Sequence, residues 1–227
     1  MILITKENQY VDFQLSENQK VGNGAFGKVF KISPERCLKV LLEPESLPDA
    51  EKVITFLKEH NLPSFYRIYN NYYNNEGMLN AYEMKYYEKQ NELLLYKLME
   101  YYLDNFIQNS KDLTKISENN IKVCDVRGEN VILTPEKIVL IDADCYTISS
   151  ENKKEVERKN QDELKWLYIN LLLREILDVT NYNCDIVRNI REGLVNIFIK
   201  NSPEDIYKQL KIYKRPVDLV RRLERKR

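Results

Sequence analysis

Two hydrophobic rhythms divide the chain. Up to Tyr87 the apolar runs are short and separated by turn-forming residues, whereas beyond it they recur every three or four positions. The stretch QKVGNGAFGKVFKI, followed by SPER and CLKVLL, predicts strand, glycine turn, strand, polar turn and strand. In PDAEKVITFLKEH, Val53, Ile54 and Leu57 fall at helical spacing with Pro48 in the first turn, which predicts a helix over Pro48–His60. SFYRIYNNYY and MLNAYEMKYY predict two more strands around the loop 74–77. Leu94, Leu95, Leu98, Tyr102 and Phe106 stripe a helix predicted over Glu88–Gln108. NVIL and KIVLI flank a turn at Thr134 and Pro135 and predict a hairpin. A stronger stripe of Leu164, Leu167, Tyr168, Leu171, Leu172 and Ile176 predicts a helix over Asn160–Asp178, followed by shorter ones over Asp185–Lys200, Glu204–Lys211 and Pro216–Arg225. The expectation is an α+β protein, β-rich over 1–87 and helical over 88–227.

Composition narrows the field of functions. The 227 residues suffice for one large domain or two small ones, and no repeat or low-complexity linker interrupts them. Thirty-five lysines and arginines balance thirty-five aspartates and glutamates, so no net field recruits nucleic acid or an anionic membrane. The start, MILITKENQYVDF, lacks the pattern of a leader, and no apolar run is long enough to cross a bilayer. A cytoplasmic protein without nucleic-acid or membrane partners is expected. Cys37, Cys124, Cys145 and Cys184 form no C-x-x-C, and His60 is the single histidine, so the cysteines read as reduced thiols and not as zinc ligands.

Candidate chemistry begins at Gly22, Gly24 and Gly27, a G-x-G-x-x-G. The dinucleotide fold requires a helix after that motif. Here Lys28-Val29-Phe30-Lys31-Ile32 follows, so the loop joins two strands, either as an ordinary hairpin or as a flap whose backbone N–H groups close over phosphates. Lys39 stands between apolar neighbours in CLKVLL, where an ammonium either reaches solvent or meets a phosphate or carboxylate. Further on, Asp125, Asn130 and Asp142 lie beside the two apolar runs of the hairpin, which do not need them for packing. Oxygen ligands of this kind suit a magnesium ion, which takes one or two carboxylates together with phosphates and waters.

These stretches, from Val21 to Leu173, resemble the protein kinases. GNGAFGKVF is similar to their nucleotide loop, which implies nucleotide contacts for Val21, Gly22, Gly24 and Gly27, with Phe26 capping the phosphates and Val29 on the adenine. Lys39 resembles the strand lysine of V-A-I-K, with Cys37 where alanine is usual. The run from Asp125 to Asn130, DVRGEN, resembles the catalytic loop, implying Asp125 as base and Asn130 on metal, and Ile141-Asp142 resembles the metal-binding aspartate. Arg127 stands where protein kinases carry a cation that neutralises the transferred phosphate. Glu51 is the candidate for the helix glutamate that pairs with the lysine, with Glu45 and Glu59 competing. Met84, Lys85, Tyr86 and Tyr87 are similar to the strand and hinge that touch adenine. Asp162 is the candidate for a buried aspartate bracing the catalytic loop, with a charge at the helix N-terminus as the alternative.

The chain also departs from the family. Val123 and Cys124 replace His-Arg before Asp125, so no phosphorylation-controlled activation loop is expected. Ala143 and Asp144 replace Phe-Gly, which implies a fixed metal site, with Asp144 as an added ligand, a backbone holder or a surface residue. The resemblance implies a two-lobed protein-kinase-like fold with a small β-rich N-lobe and a reduced helical C-lobe. It implies ATP with Mg2+ or Mn2+, and transfer of the γ-phosphoryl to Ser or Thr of a protein substrate. A small-molecule phosphotransferase, a nucleotide-binding pseudokinase and a scaffold that transfers AMP are the alternatives.

Overall fold

The computed structural model describes residues 1–88, 98–179 and 184–219. The chain is α+β, with strands concentrated before Lys85 and helices after Met99. A seven-stranded antiparallel sheet has the order β2-β1-β6-β7-β5-β4-β3. Its strands are β1 (Ile2–Ile4), β2 (Tyr10–Asp12), β3 (Lys20–Asn23), β4 (Gly27–Lys31), β5 (Arg36–Leu41), β6 (Ile68–Tyr73) and β7 (Leu79–Lys85). The first two were not legible as strands: three residues each give too short a run for alternation to register. They pair with each other and then with β6, while Phe13 and Leu15 just after them pack over the sheet's outer face against Leu38, Tyr72 and Ala81.

The period of two in β5 decides which groups face inward. Leu38 goes to the outer cluster, whereas Cys37 and Leu41 join the main core and Lys39 shares their side. Registers set Lys39 opposite Val29 on β4 and Tyr82 on β7. Burial pushes the Cys37 thiol up to about 12, helped by the Glu83 carboxylate. A thiol raised by burial is neutral in both states below its ordinary value, about 8.5, and the folded state loses stability as the pH rises from there. Native protein at about that pH is therefore expected to leave Cys37 unmodified by iodoacetamide, while urea-unfolded protein reacts. Peptide mapping of the two samples checks this, and equal labelling would contradict it.

Helix α1 (Ala50–His60) follows the expected span, buries Ala50, Val53, Ile54 and Leu57, and ends at Asn61 in the left-handed conformation. Asp49 before it accepts from Ile148 N at 2.9 Å instead of capping the helix, tying its start to the later chain. After β7 the helix expected over Glu88–Gln108 is corrected. Residues 89–97, with Leu94 and Leu95, lie outside the described residues, Leu98 is exposed, and α2 runs over Met99–Ser117. Its later half looks polar in sequence because Asn109, Ser110 and Thr114 bond across to Tyr168, Gln161 and Glu157 of the next helix.

The strand β8 (Ile121–Lys122) leads to the expected hairpin, β9 (Val131–Leu133) and β10 (Ile138–Leu140), whose turn is closed by Thr134 Oγ1 accepting from Lys137 N at 2.9 Å. A short β11 (Thr147–Ile148) returns to pair with β8. Then α3 (Lys153–Val179) begins ahead of the predicted Asn160, its first turn capped by Asn152 Oδ1 on Glu155 N. Helices α4 (Cys184–Ile199) and α5 (Pro203–Leu210) match the predicted spans closely, with Ser202 capping α5. The last predicted helix is helical over 216–219, and its remainder lies outside the described residues. One apolar core joins both halves, from Cys37 and Met84 through Phe65 and Leu140 to Leu164 and Phe198. No helix among the described residues is long and apolar enough to cross a membrane.

Candidate functional site

Lys39 is 4 % exposed, and an ammonium so buried needs anions. Two are present: Nζ lies 2.9 Å from Asp142 Oδ1 and 2.6 Å from Asp144 Oδ1. Burial alone would pull the lysine down, but attraction to Asp144 and then Asp142 outweighs it and holds Lys39 above its ordinary value. The 3-10 turn Ala143–Cys145 directly after Asp142 brings both carboxylates to one ammonium, and α1 packs against that turn. Tyr82 donates to the same Asp144 oxygen at 2.8 Å, and Tyr66 lies 3.1 Å from Tyr82 Oη. Burial, followed by the nearby Asp144 charge, pushes both phenols well up. They stay protonated, so Tyr66 donates to Tyr82 and Tyr82 to Asp144.

The loop after β8 places Asp125 beside this cluster. Ile141 N donates to Asn130 O at 3.0 Å and Cys145 Sγ to Cys124 O at 3.6 Å, so the loop carrying Asp125 and the turn carrying Asp142 run side by side. Asn130 Nδ2 donates to Asp125 O at 2.8 Å and to Asp125 Oδ2 at 2.9 Å, which fixes the carboxylate's direction across the five-residue spacing. Arg127 Nε pairs with Asp125 Oδ1, and its side chain is exposed. Asp125 and Asp142 both adopt left-handed backbone, φ 59° and 61°, at about 1 kcal/mol each. The other non-glycine residues of positive φ among the described residues are asparagines in turns or at a helix end.

Beneath the loop, Asn160 is fully buried. Its Oδ1 accepts from Val123 N at 2.9 Å, and its amide donates to Ile121 O at 2.9 Å and Ser117 Oγ at 2.8 Å. This is the bracing place for which Asp162 is the sequence candidate, with a charge at the helix N-terminus as the alternative. Asp162 is corrected to a surface residue, half-exposed and 2.8 Å from Arg158 one helical turn back. No sequence signal separates Asn160 from a helix-start residue. A second correction concerns Glu51. It is exposed on the outer side of α1, where its charge acts on Tyr73, and Glu45 and Glu59 are exposed as well. Glu83, the buried glutamate of β7, pairs opposite Leu38 and so faces away from Lys39, bonding Arg36 and Asn70.

No family model matches the chain, and no curated protein is similar to it in sequence.

The glycine motif joins β3 to β4 as expected, with Gly24 N donating to Gly27 O at 2.9 Å, but its glycines are not needed for positive φ. Close approach explains Gly27: a Cβ there would lie 2.7 Å from Val40 O and 3.1 Å from Lys39 Cε. At Gly24 the nearest atom would be 3.9 Å away. Gly27→Ala is expected to destabilise by about 1–3 kcal/mol through forced separation of β4 and β5, and Gly24→Ala by less than about 0.5 kcal/mol. Equal melting temperatures would remove the close-approach argument. At the loop, Val21 and Phe26 are exposed and Val29 packs beside Lys39, while Gly22 lies against Val29.

In the expected adenine segment, Met84 is buried opposite Cys37. Lys85 N and Tyr86 N already donate to Arg67 O and Glu35 O, each at 2.8 Å, so their N–H groups are not open to a base. Tyr86 carries Lys31 over its ring and Tyr87 carries Lys85, both as cation–π pairs.

The donor set suits a divalent ion. Two carboxylates face one ammonium, and Asp144 Oδ2 is buried with no hydrogen-bond partner. Among the described residues no group of three His, Cys, Asp or Glu side chains is placed to hold a metal ion. A hard cation such as Mg2+ asks for fewer protein ligands, one or two carboxylates, and completes its shell with phosphate oxygens and water. Asp142 and Asn130 would hold it.

Proposed function

We propose that the chain is an ATP-dependent phosphotransferase of two-lobed, protein-kinase-like build that delivers the γ-phosphoryl to a protein serine or threonine. One observation carries the reading: Lys39 and Asp142, 103 positions apart in sequence, are 2.9 Å from each other behind the glycine hairpin. A strand lysine and an aspartate brought together supply one group for the phosphates and one for their metal ion, as phosphoryl transfer requires. When bound, the divalent ion neutralises phosphate charge. Lys39 orients the phosphates from the sheet side. Asp125, aimed by Asn130, orients the acceptor hydroxyl and takes its proton, and Arg127 beside it meets the negative charge of the transferred group.

Arg127 favours a protein acceptor. A second reading, a small-molecule acceptor, is favoured by the short connection after Asp142: only Ala143 to Asn152 precede α3, so little surface is available to seat a polypeptide. Incubation with γ-labelled ATP, Mg2+ or Mn2+ and lysate separates the two by which molecules acquire label. Label in protein hydroxyls supports the first, and label in an amino alcohol or sugar the second. Nucleotide-induced thermal stabilisation without label transfer, or label acquired from α-labelled ATP, would overturn both.

A further inference from the structure

We infer that Asp144 is the positioning residue for Lys39, occupying the place a glutamate on α1 was expected to fill, an inference that rests on the phosphotransferase reading for its catalytic consequence. Three observations converge. Asp144 gives Lys39 its shorter bond, 2.6 Å against 2.9 Å to Asp142, and is 1 % exposed where the Asp142 side chain is 37 % exposed. Its acceptor oxygen is itself held by Tyr82 at 2.8 Å, with Tyr66 behind, so a buried phenol pair fixes the anchor as well as the ammonium. The inward face of α1 carries Ala50, Val53, Ile54 and Leu57 and no carboxylate.

The two aspartates thereby divide the work. Asp142, partly open, is the partner whose oxygens a cation and phosphates can claim. Asp144, closed in, keeps Lys39 aimed while that exchange takes place. The tether sits on the turn next to Asp142, against which α1 packs, and not on α1 itself.

The test compares Asp144→Asn, Tyr82→Phe and Glu51→Gln with the wild-type chain. The 15N-edited NMR signal of the Lys39 ammonium, assigned with Lys39→Met, reports whether it is held away from solvent exchange. Steady-state kinetics with Mg-ATP report kcat and KM. Asp144→Asn is expected to lose the protected signal and to lower kcat by roughly 10²-fold while KM for ATP changes by less than about threefold, because aim and not binding is lost. Tyr82→Phe, which keeps the ring and removes one bond, is expected to speed ammonium exchange and lower kcat by about three- to tenfold. Glu51→Gln should match wild type in both. A protected signal that survives Asp144→Asn, or that disappears in Glu51→Gln, would overturn the assignment. So would loss of protection in Asp144→Asn together with unchanged kcat. Should Asp144→Asn fail to fold, an unchanged signal and kcat in Tyr82→Phe decide against it. Wild-type protein that turns over no acceptor, yet shows the expected NMR pattern, would sink the phosphotransferase reading and leave the anchor standing.

Discussion

Asp142→Asn is expected to lower γ-phosphoryl transfer by about 10³-fold, roughly 4 kcal/mol of transition-state stabilisation, while leaving the fold nearly as stable as before. The loss follows from charge. An amide oxygen still accepts a hydrogen bond but offers a divalent ion no negative charge to offset that of the phosphates. The retained stability follows from the surroundings. Asn tolerates the left-handed backbone that Asp142 adopts, and Lys39 keeps Asp144 as its partner, so no buried ammonium is left bare. Transfer rates and melting temperatures on the same preparations check both halves. Transfer near the wild-type rate would remove Asp142 from the metal site, and with it the central assignment.

Asn160→Leu is expected to cost about 3 kcal/mol and to lower the melting temperature by roughly 10 °C. Leucine has similar volume but leaves Val123 N–H, Ile121 C=O and Ser117 Oγ without the side chain that serves them, in a site with no access for water. Activity should fall further than stability alone explains, since Val123 lies two residues before Asp125 and its N–H fixes where that loop leaves β8. Asp162→Asn, on the exposed side of the same helix, is expected to change stability by less than about 0.5 kcal/mol. Thermal melts of the pair settle which residue is the brace, and a larger shift for Asp162→Asn would reverse the assignment.

What the sequence reveals depends on how local the cause is. Period two in VFKI and CLKVLL, turn chemistry at Thr134, and the stripe from Leu164 to Ile176 are local causes, and the elements they predict are present. The identity of the lysine's partners is not local. Glu51 follows Lys39 closely in sequence and opens a helix, which made it the natural candidate, yet one position past buried Ala50 it turns outward. Asp144 pairs with Lys39 only because β5, β7 and the turn after β10 meet in space, and Tyr82 joins them through the register of two strands. Asn160 and Asp162 differ by two residues on one helix, which is half a turn and the whole difference between core and solvent. Of the twelve-residue step from Asn130 to Asp142 the hairpin was readable, but not that Ile141 would bond back to Asn130 and lay the two loops side by side.

The stretch following Asp142 is stitched down at close intervals: Ile148 N to Asp49, Ser149 N to Asn120 O, and β11 onto β8. A ribbon so short and so firmly sewn has no slack to swing between an open and a shut position. On the phosphotransferase reading proposed above, such a ribbon would offer the site no movable segment through which to switch it off.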